Sequence, residues 1–124
     1  MDFKLKDARP IWQQLSEELT RRIVTGKYAP GARFPTVREL AAEAGVNPNT
    51  MQRALSQLES DGLVLTNRTA GRQVTEDDGV LAGIRRRLAG ERVEEFLDDM
   101  ENLGYGAAEA AALAAQGRKE NEYE

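Results

Sequence analysis

Apolar residues recur at helical spacing in several stretches of the chain, separated by short polar breaks. From Ile11 to Thr25, the residues Ile11, Leu15, Leu19 and Ile23 share one face, with Trp12 and Val24 at its margin. Gly26 to Gly31 is a run of turn formers, and Ala32 to Phe34 reads as a very short strand that pairs with a later hairpin. A second helix begins at Thr36, whose hydroxyl suits an N-cap. Glu39 three residues on completes a capping box. Val37, Leu40, Ala41 and Ala44 line its buried side, and Gly45 stands where a helix end favours positive φ. A third helix follows at once. Asn47 is its N-cap and Pro48 its first residue, where a missing N–H costs nothing. Met51, Ala54, Leu55 and Leu58 make its apolar stripe, and Asp61-Gly62 ends it.

Two β-prone runs then flank a glycine-containing tip, up to Val74. Helix, turn, helix, hairpin is the order of a winged helix-turn-helix, which lays its recognition helix in the major groove of DNA and its hairpin along the backbone. The polar face of the third helix carries Asn49, Thr50, Gln52, Arg53, Ser56 and Gln57. Most of these side chains can both donate and accept hydrogen bonds, the chemistry that reads base edges. An ordinary solvated helix face would have a similar composition. The order of elements decides between the two.

After Thr75 the character changes. Glu76-Asp77-Asp78-Gly79 is an acidic joint that divides a DNA-binding domain, 1–75, from a helical region, 76–124. Its carboxylates suit a helix start. A long helix is predicted from Val80 to Leu103, with Leu81, Ile84, Leu88, Phe96, Leu97, Met100 and Leu103 on its apolar face. Gly90, where the phase shifts, reads as a kink or a point of close helix approach. Gly104-Tyr105-Gly106 breaks the pattern, a short alanine-rich helix spans Ala107 to Gln116, and the polar tail from Gly117 is expected to fray. Two such helices cannot build a core alone. Their apolar face is expected to meet the same face of a second copy, or else the chain's own winged helix. The predicted fold class is mainly α with a small β-hairpin: an N-terminal winged helix-turn-helix, then a short two-helix C-terminal dimerisation region.

The charge sharpens this division. The net charge of −4 is unusual for a DNA binder. Residues 1–75, however, hold eleven Lys/Arg against eight Asp/Glu, and residues 76–124 hold six against thirteen. A mildly basic half can face phosphates while an acidic half points away. The chain has neither Cys nor His, which excludes disulfides, thiolate metal sites and the commonest general base. No cofactor and no metal site is expected. No apolar run reaches the ~20 residues that span a bilayer, and the N-terminus lacks the apolar segment of a signal peptide, so a cytoplasmic protein is expected. Arg21 and Arg22 near the end of the first helix suit its dipole. Arg85, Arg86 and Arg87 read as a solvated face pairing with Glu91, Glu94 or Glu95. Phe3 and Leu5 alternate with polar residues, as in an edge strand or a contact across a dimer.

From Ile11 to Val74 the chain resembles the DNA-binding domain of GntR-type bacterial transcription regulators. The pattern G-x-[YF]-x-P-G-x-x-[LF]-P-[ST]-x-R-x-L is met by GKYAPGARFPTVREL, Gly26 to Leu40. The opening at Pro10-Ile11, the phrase VNPNTMQRAL and the short remainder are most similar to the YtrA-like branch. The resemblance implies a dimer on a palindromic double-stranded operator, often beside transporter genes. It implies DNA contact by Arg38 at the start of the second helix; by position, Arg33 before that helix is expected to reach the backbone, and Thr36 is expected to belong to the same DNA-binding set. It also implies base reading from the first turn of the recognition helix, by Asn47, Asn49, Thr50 and Arg53. Asn49 and Arg53 suit adenine and guanine respectively, and Thr50 and Gln52 suit phosphate or mixed contacts. The wing departs from the family tip R-G-x-G-[TS]-[FY]-V. Arg68 and Gly71 match, while Thr69 replaces a glycine and Gln73 an aromatic residue. Thr69-Ala70 makes a positive-φ turn less comfortable there. Arg68 and Arg72 are expected to touch phosphates, or else to serve as edge-strand charges that block aggregation.

Two functions are consistent with these features. One is a dimeric DNA-binding regulator, with a small-molecule effector unspecified. The other is a winged-helix protein-interaction adaptor with little DNA affinity. An enzyme is not expected, because no carboxylate stands in an apolar pattern that would raise its pKa.

Overall fold

The structure, a computed structural model, describes residues 3, 5, 8–69 and 71–122, those from 118 on by their backbone alone. Its elements are α1 (Ile11–Val24), α2 (Val37–Ala44), α3 (Pro48–Ser60), β1 (Val64–Asn67), β2 (Gly71–Val74), α4 (Asp78–Asn102) and α5 (Ala107–Glu122). The chain forms two compact units, Met1–Arg85 and Arg86–Glu124. The first therefore extends past the acidic joint into the opening turns of α4.

The core of the first unit follows the periodicity closely. Leu15, Leu19 and Ile23 of α1 meet Met51, Ala54, Leu55 and Leu58 of α3, and Phe34, Leu40, Leu63, Val64 and Val74 close around them. Ile11 differs from expectation: it opens α1 beyond the reach of the core and is exposed, and Trp12 is half-buried. Burial on α1 is wide enough to take in Gln14, Ser16, Glu18, Thr20 and Arg22, and each polar group needs a partner. Thr20, for example, donates its hydroxyl proton to the Ser16 carbonyl at 2.7 Å.

The helix-turn-helix corner is set by local chemistry. Thr36 Oγ1 accepts from the Glu39 N–H at 3.1 Å and Asn47 Oδ1 from the Asn49 N–H at 2.7 Å, so both helices start at the capping residues. Gly45 takes φ +68 and its N–H returns to the Ala41 carbonyl, which stops α2 abruptly enough for α3 to begin three residues later.

β1 and β2 pair antiparallel, Val64 opposite Val74 and Asn67 opposite Gly71. The expected short strand joins them. Phe34 N–H donates to the Arg72 carbonyl at 2.8 Å and Val74 N–H to the Ala32 carbonyl at 2.9 Å, around a bridge between Arg33 and Gln73. The wing turn is closed by an Asx arrangement in which Asn67 Oδ1 accepts from both the N–H and the hydroxyl of Thr69. Gly71, at φ +74, carries a positive φ on the far side of the turn. Ala70 lies outside the described residues, so the expected discomfort at Thr69-Ala70 is described only up to Thr69.

In α4, Asp77 Oδ1 accepts from the N–H groups of Gly79 and Val80, a carboxylate at the helix start as anticipated. The helix runs unbroken through Gly90. A Cβ added there would meet nothing within 4 Å, so no close approach occurs at Gly90 within this chain. Arg87 pairs with Glu91 at 3.8 Å. The alanine-rich helix is longer than expected: α5 passes Gln116 and Gly117 and reaches Glu122, because one glycine among strong helix formers costs too little to end it. Phe3 and Leu5 belong to no strand. The Phe3 ring instead lies 4.4 Å from the Arg22 guanidinium of the same chain.

Of the seven residues expected on a dimer face, Ile84 is buried within the single chain. Leu81, Leu88, Leu97 and Met100 are half-buried, while Phe96 and Leu103 are exposed, Leu103 by 72%.

Candidate nucleic-acid interface

The recognition face of α3 is presented by the packing of its opposite face. Met51, Ala54, Leu55 and Leu58 are fully buried, which fixes the rotation of the helix and turns Asn49, Gln52, Arg53 and Ser56 to solvent. Asn47 is also exposed, although its carboxamide oxygen is occupied as the cap, and Thr50 is half-buried. The Arg53 guanidinium does not extend freely. It lies over the indole of Trp12 from α1, 4.3 Å from the ring centroid.

A second part of the surface lies between α2 and the hairpin. Arg33, Pro35, Thr36 and Arg38 line one side of an open groove of about 430 Å³, and Thr66, Gly71 and Arg72 line the other. The groove thus brings Arg33 and Arg38 together with the wing. Thr36 Oγ1 accepts one bond as the helix cap, and its hydroxyl proton remains a donor. Arg68 is exposed on the wing turn.

Arg72 has a carboxylate partner within the chain. Its Nε donates to Glu59 Oε1 at 2.5 Å, and the Thr66 hydroxyl donates to the same oxygen at 3.0 Å. Arg72 holds the Glu59 carboxyl below the ordinary carboxylate range. Partial burial opposes that shift and Thr66 reinforces it. The pair fastens the hairpin to the end of α3 and offsets the arginine's charge within the chain. Nothing in the spacing of Glu59 and Arg72 announces it, because the two meet only once the hairpin folds back.

Arg22 has a larger role than offsetting the dipole near the end of α1. Its side chain is 5% exposed, and it donates to Glu18 Oε2 at 3.1 Å, Glu43 Oε2 at 2.8 Å and the Tyr28 hydroxyl at 2.9 Å. It therefore joins α1, α2 and the intervening turn behind the recognition helix. Burial pushes its pKa down, but these acceptors reverse that and raise it above the ordinary arginine value. Burial likewise pushes Glu18 up, and the hydrogen bonds from Arg21 and Arg22 outweigh it, leaving the carboxyl low. Glu18, four residues before Arg22, is the one partner that spacing along the helix shows, while Glu43 and Tyr28 are met only in the fold.

Between residues 8 and 75 the arginines fall into two sets. Arg9, Arg21, Arg22 and Arg72 each pair with a carboxylate. Among the described residues, Arg33, Arg38, Arg53 and Arg68 make no ion pair, and all four belong to the α2 approach, the recognition helix or the wing. Such a distribution leaves positive charge where a polyanion would meet it.

A tightly capped helix-turn-helix corner, a polar recognition face and a wing define a winged-helix DNA-binding domain. Residues 12–74 match the model for bacterial regulatory proteins of the gntR family, and the chain belongs to that family. It is 35% identical to the uncharacterized HTH-type transcriptional regulator YhcF of Bacillus subtilis, over 84% of this chain and 86% of that protein. To the HTH-type transcriptional repressor YtrA of the same organism it is 33% identical, over 58% of this chain and 55% of YtrA. Among solved structures, a GntR family transcriptional regulator from Listeria monocytogenes superposes with a TM-score of 0.84 at 33% identity, covering 90% of this chain and 98% of that one. The AraR DNA-binding domain in complex with operator ORE1 aligns at 30% identity and a TM-score of 0.52, over 60% of this chain and 94% of that one. These relatives are transcription regulators, not enzymes. No helix among the described residues is long and apolar enough to cross a membrane.

Proposed function

We propose that the protein is a homodimeric repressor that binds an inverted-repeat operator and occludes a promoter. The observation that carries this reading is the segregation of unpaired arginines, Arg33, Arg38, Arg53 and Arg68, onto the helix-turn-helix and wing. In this reading Arg33, Arg38 and Arg68 hold phosphates, which sets the register, while Asn49 and Arg53 read bases, with Thr50 and Gln52 between them. The helical region after the acidic joint joins two copies, so that two recognition helices meet half-sites about one helical turn apart. Exposed Val93, Phe96, Leu103 and Leu113 support that assignment, since apolar area of this kind gains from a partner. The name of YtrA supports repression, and the likeness to its branch supports control of neighbouring transporter genes.

Selection of random genomic fragments with purified protein at ~150 mM salt, followed by footprinting, tests the reading. A short inverted repeat is expected, and recovery of no sequence above background rejects it. On the recovered site, Arg53→Ala is expected to cost about 1–3 kcal/mol and to relax preference at one position in each half-site.

A further inference from the structure

Trp12 stands outside both the core and the polar reading face. It is the only tryptophan of the chain. It occupies the second position of α1, is half-buried, and covers the guanidinium of Arg53 on α3 with its indole at 4.3 Å. A cation over an aromatic face is attracted by the ring, and tryptophan attracts it best. The N–H donors of arginine lie in the plane of the group, around its edge. Contact with the indole removes rotamers of a long side chain and so restricts where those donors can point. A bidentate contact to a guanine edge needs that plane fixed.

We infer that Trp12 is a positioning residue for DNA readout: its indole sets the plane and direction of the Arg53 guanidinium and so contributes to base preference from outside the recognition helix. The inference rests on the base-reading role of Arg53 proposed above. The partner is duplex DNA with a hydrogen-bond acceptor pair on one base, as guanine has in the major groove. Because α1 is the helix against which α3 packs, Trp12 is carried by the same rigid contact that orients the recognition helix.

The test compares wild type, Trp12→Leu, Trp12→Phe, Arg53→Ala and the double variant Trp12→Leu/Arg53→Ala on the selected operator, on operators altered at single base pairs, and on random duplex. Trp12→Leu is expected to lower operator affinity roughly 2- to 30-fold, in proportion to the lost contact. It should flatten preference at the same base pair that Arg53→Ala flattens, and leave random duplex unchanged. Trp12→Phe should keep most of the discrimination, and Trp12→Leu should add little once Arg53 is alanine. Trp12 emission should change on operator binding in the wild type and change less in Arg53→Ala. Equal loss on operator and random duplex, an additive double variant, or a Trp12→Leu variant that unfolds while folded Trp12→Phe binds without preference at that base pair would each overturn the inference. If Arg53→Ala itself leaves base preference intact while Trp12→Leu changes it, the base-reading role of Arg53 has failed. Wild type that selects no operator overturns the regulator reading and this one with it.

Discussion

The two units of the chain use their apolar residues in opposite ways. Within Met1–Arg85, Leu15, Leu19, Leu40, Leu55, Leu58, Leu63, Phe34 and Met51 disappear almost completely from solvent, with Ile11 and Leu65 left exposed, and even charged Arg22 and Glu18 are enclosed and paired. Within Arg86–Glu124, Ala110 is the sole buried apolar residue among those described, while Val93, Phe96, Leu103, Tyr105 and Leu113 stay open. Both units are largely helical, so secondary structure does not separate them. What separates them is closure. α1, α2, α3 and the hairpin surround a common centre, whereas a pair of helices has no third layer to cover its apolar side. The first unit can be understood from its own chain, and the second points to something beyond it.

The contrast can be broken most severely through Arg22. Replacing it with alanine leaves Glu18 partly buried without one of its two cations and removes a tie between α1, α2 and the Tyr28 turn. A loss of about 3–5 kcal/mol is expected, read as a large drop in the thermal midpoint of the DNA-binding unit. A midpoint within a degree of wild type would show that the cluster is incidental. A charged residue at an exposed apolar position of the second unit, Phe96→Asp, is expected to do the reverse. Helix content should persist in circular dichroism while sedimentation shifts from dimer to monomer, and tight operator binding falls with it. A variant that remains dimeric would place the interface elsewhere.

The smallest effect concerns the wing. Glu59→Gln weakens the attachment of Arg72, and because the pair is partly exposed its cost should be at most about 1 kcal/mol at neutral pH. The sign of its pH dependence is fixed. Glu59 titrates below the ordinary carboxylate value in the folded protein. Its contribution is therefore complete above that value and is lost as pH falls through the depressed one. Urea titrations at descending pH should show wild type and Glu59→Gln converging in acid. A gap that widens there would mean that the Glu59 carboxyl is not stabilised by Arg72.

Much of this could be read from local pattern. Thr36, Gly45 and Asn47 act over three or four residues, and the corner they build lies where the sequence places it. The same holds for Asp77 at the start of α4 and for the short strand at Ala32–Phe34. Periodicity misled where a residue's fate depends on distant chain. Ile11 has the right phase and no core opposite it, and Ile84 has the phase of an interface and is already enclosed. Arg22, Phe3, Trp12 and the Glu59–Arg72 pair depend on meetings between elements, which spacing along one helix does not encode. Gly117 looked like a stop, yet it lacks the flanking turn chemistry that Gly104, at φ +93, shares with Tyr105-Gly106.

The pairing of half the arginines within the chain has a consequence for how the protein would search a chromosome. Each phosphate neutralised by a protein cation releases condensed counterions, and about 0.9 of an ion per contact appears in the salt dependence of binding to B-form DNA. Arg9, Arg21, Arg22 and Arg72 already have carboxylates for company, so among the described arginines of residues 8–75 four remain without an ion pair to displace sodium or potassium. Residence on random sequence would then be brief, with little sliding. Lasting occupancy would depend on base contacts and on having two copies bound together, and the protein would leave most of the genome uncovered.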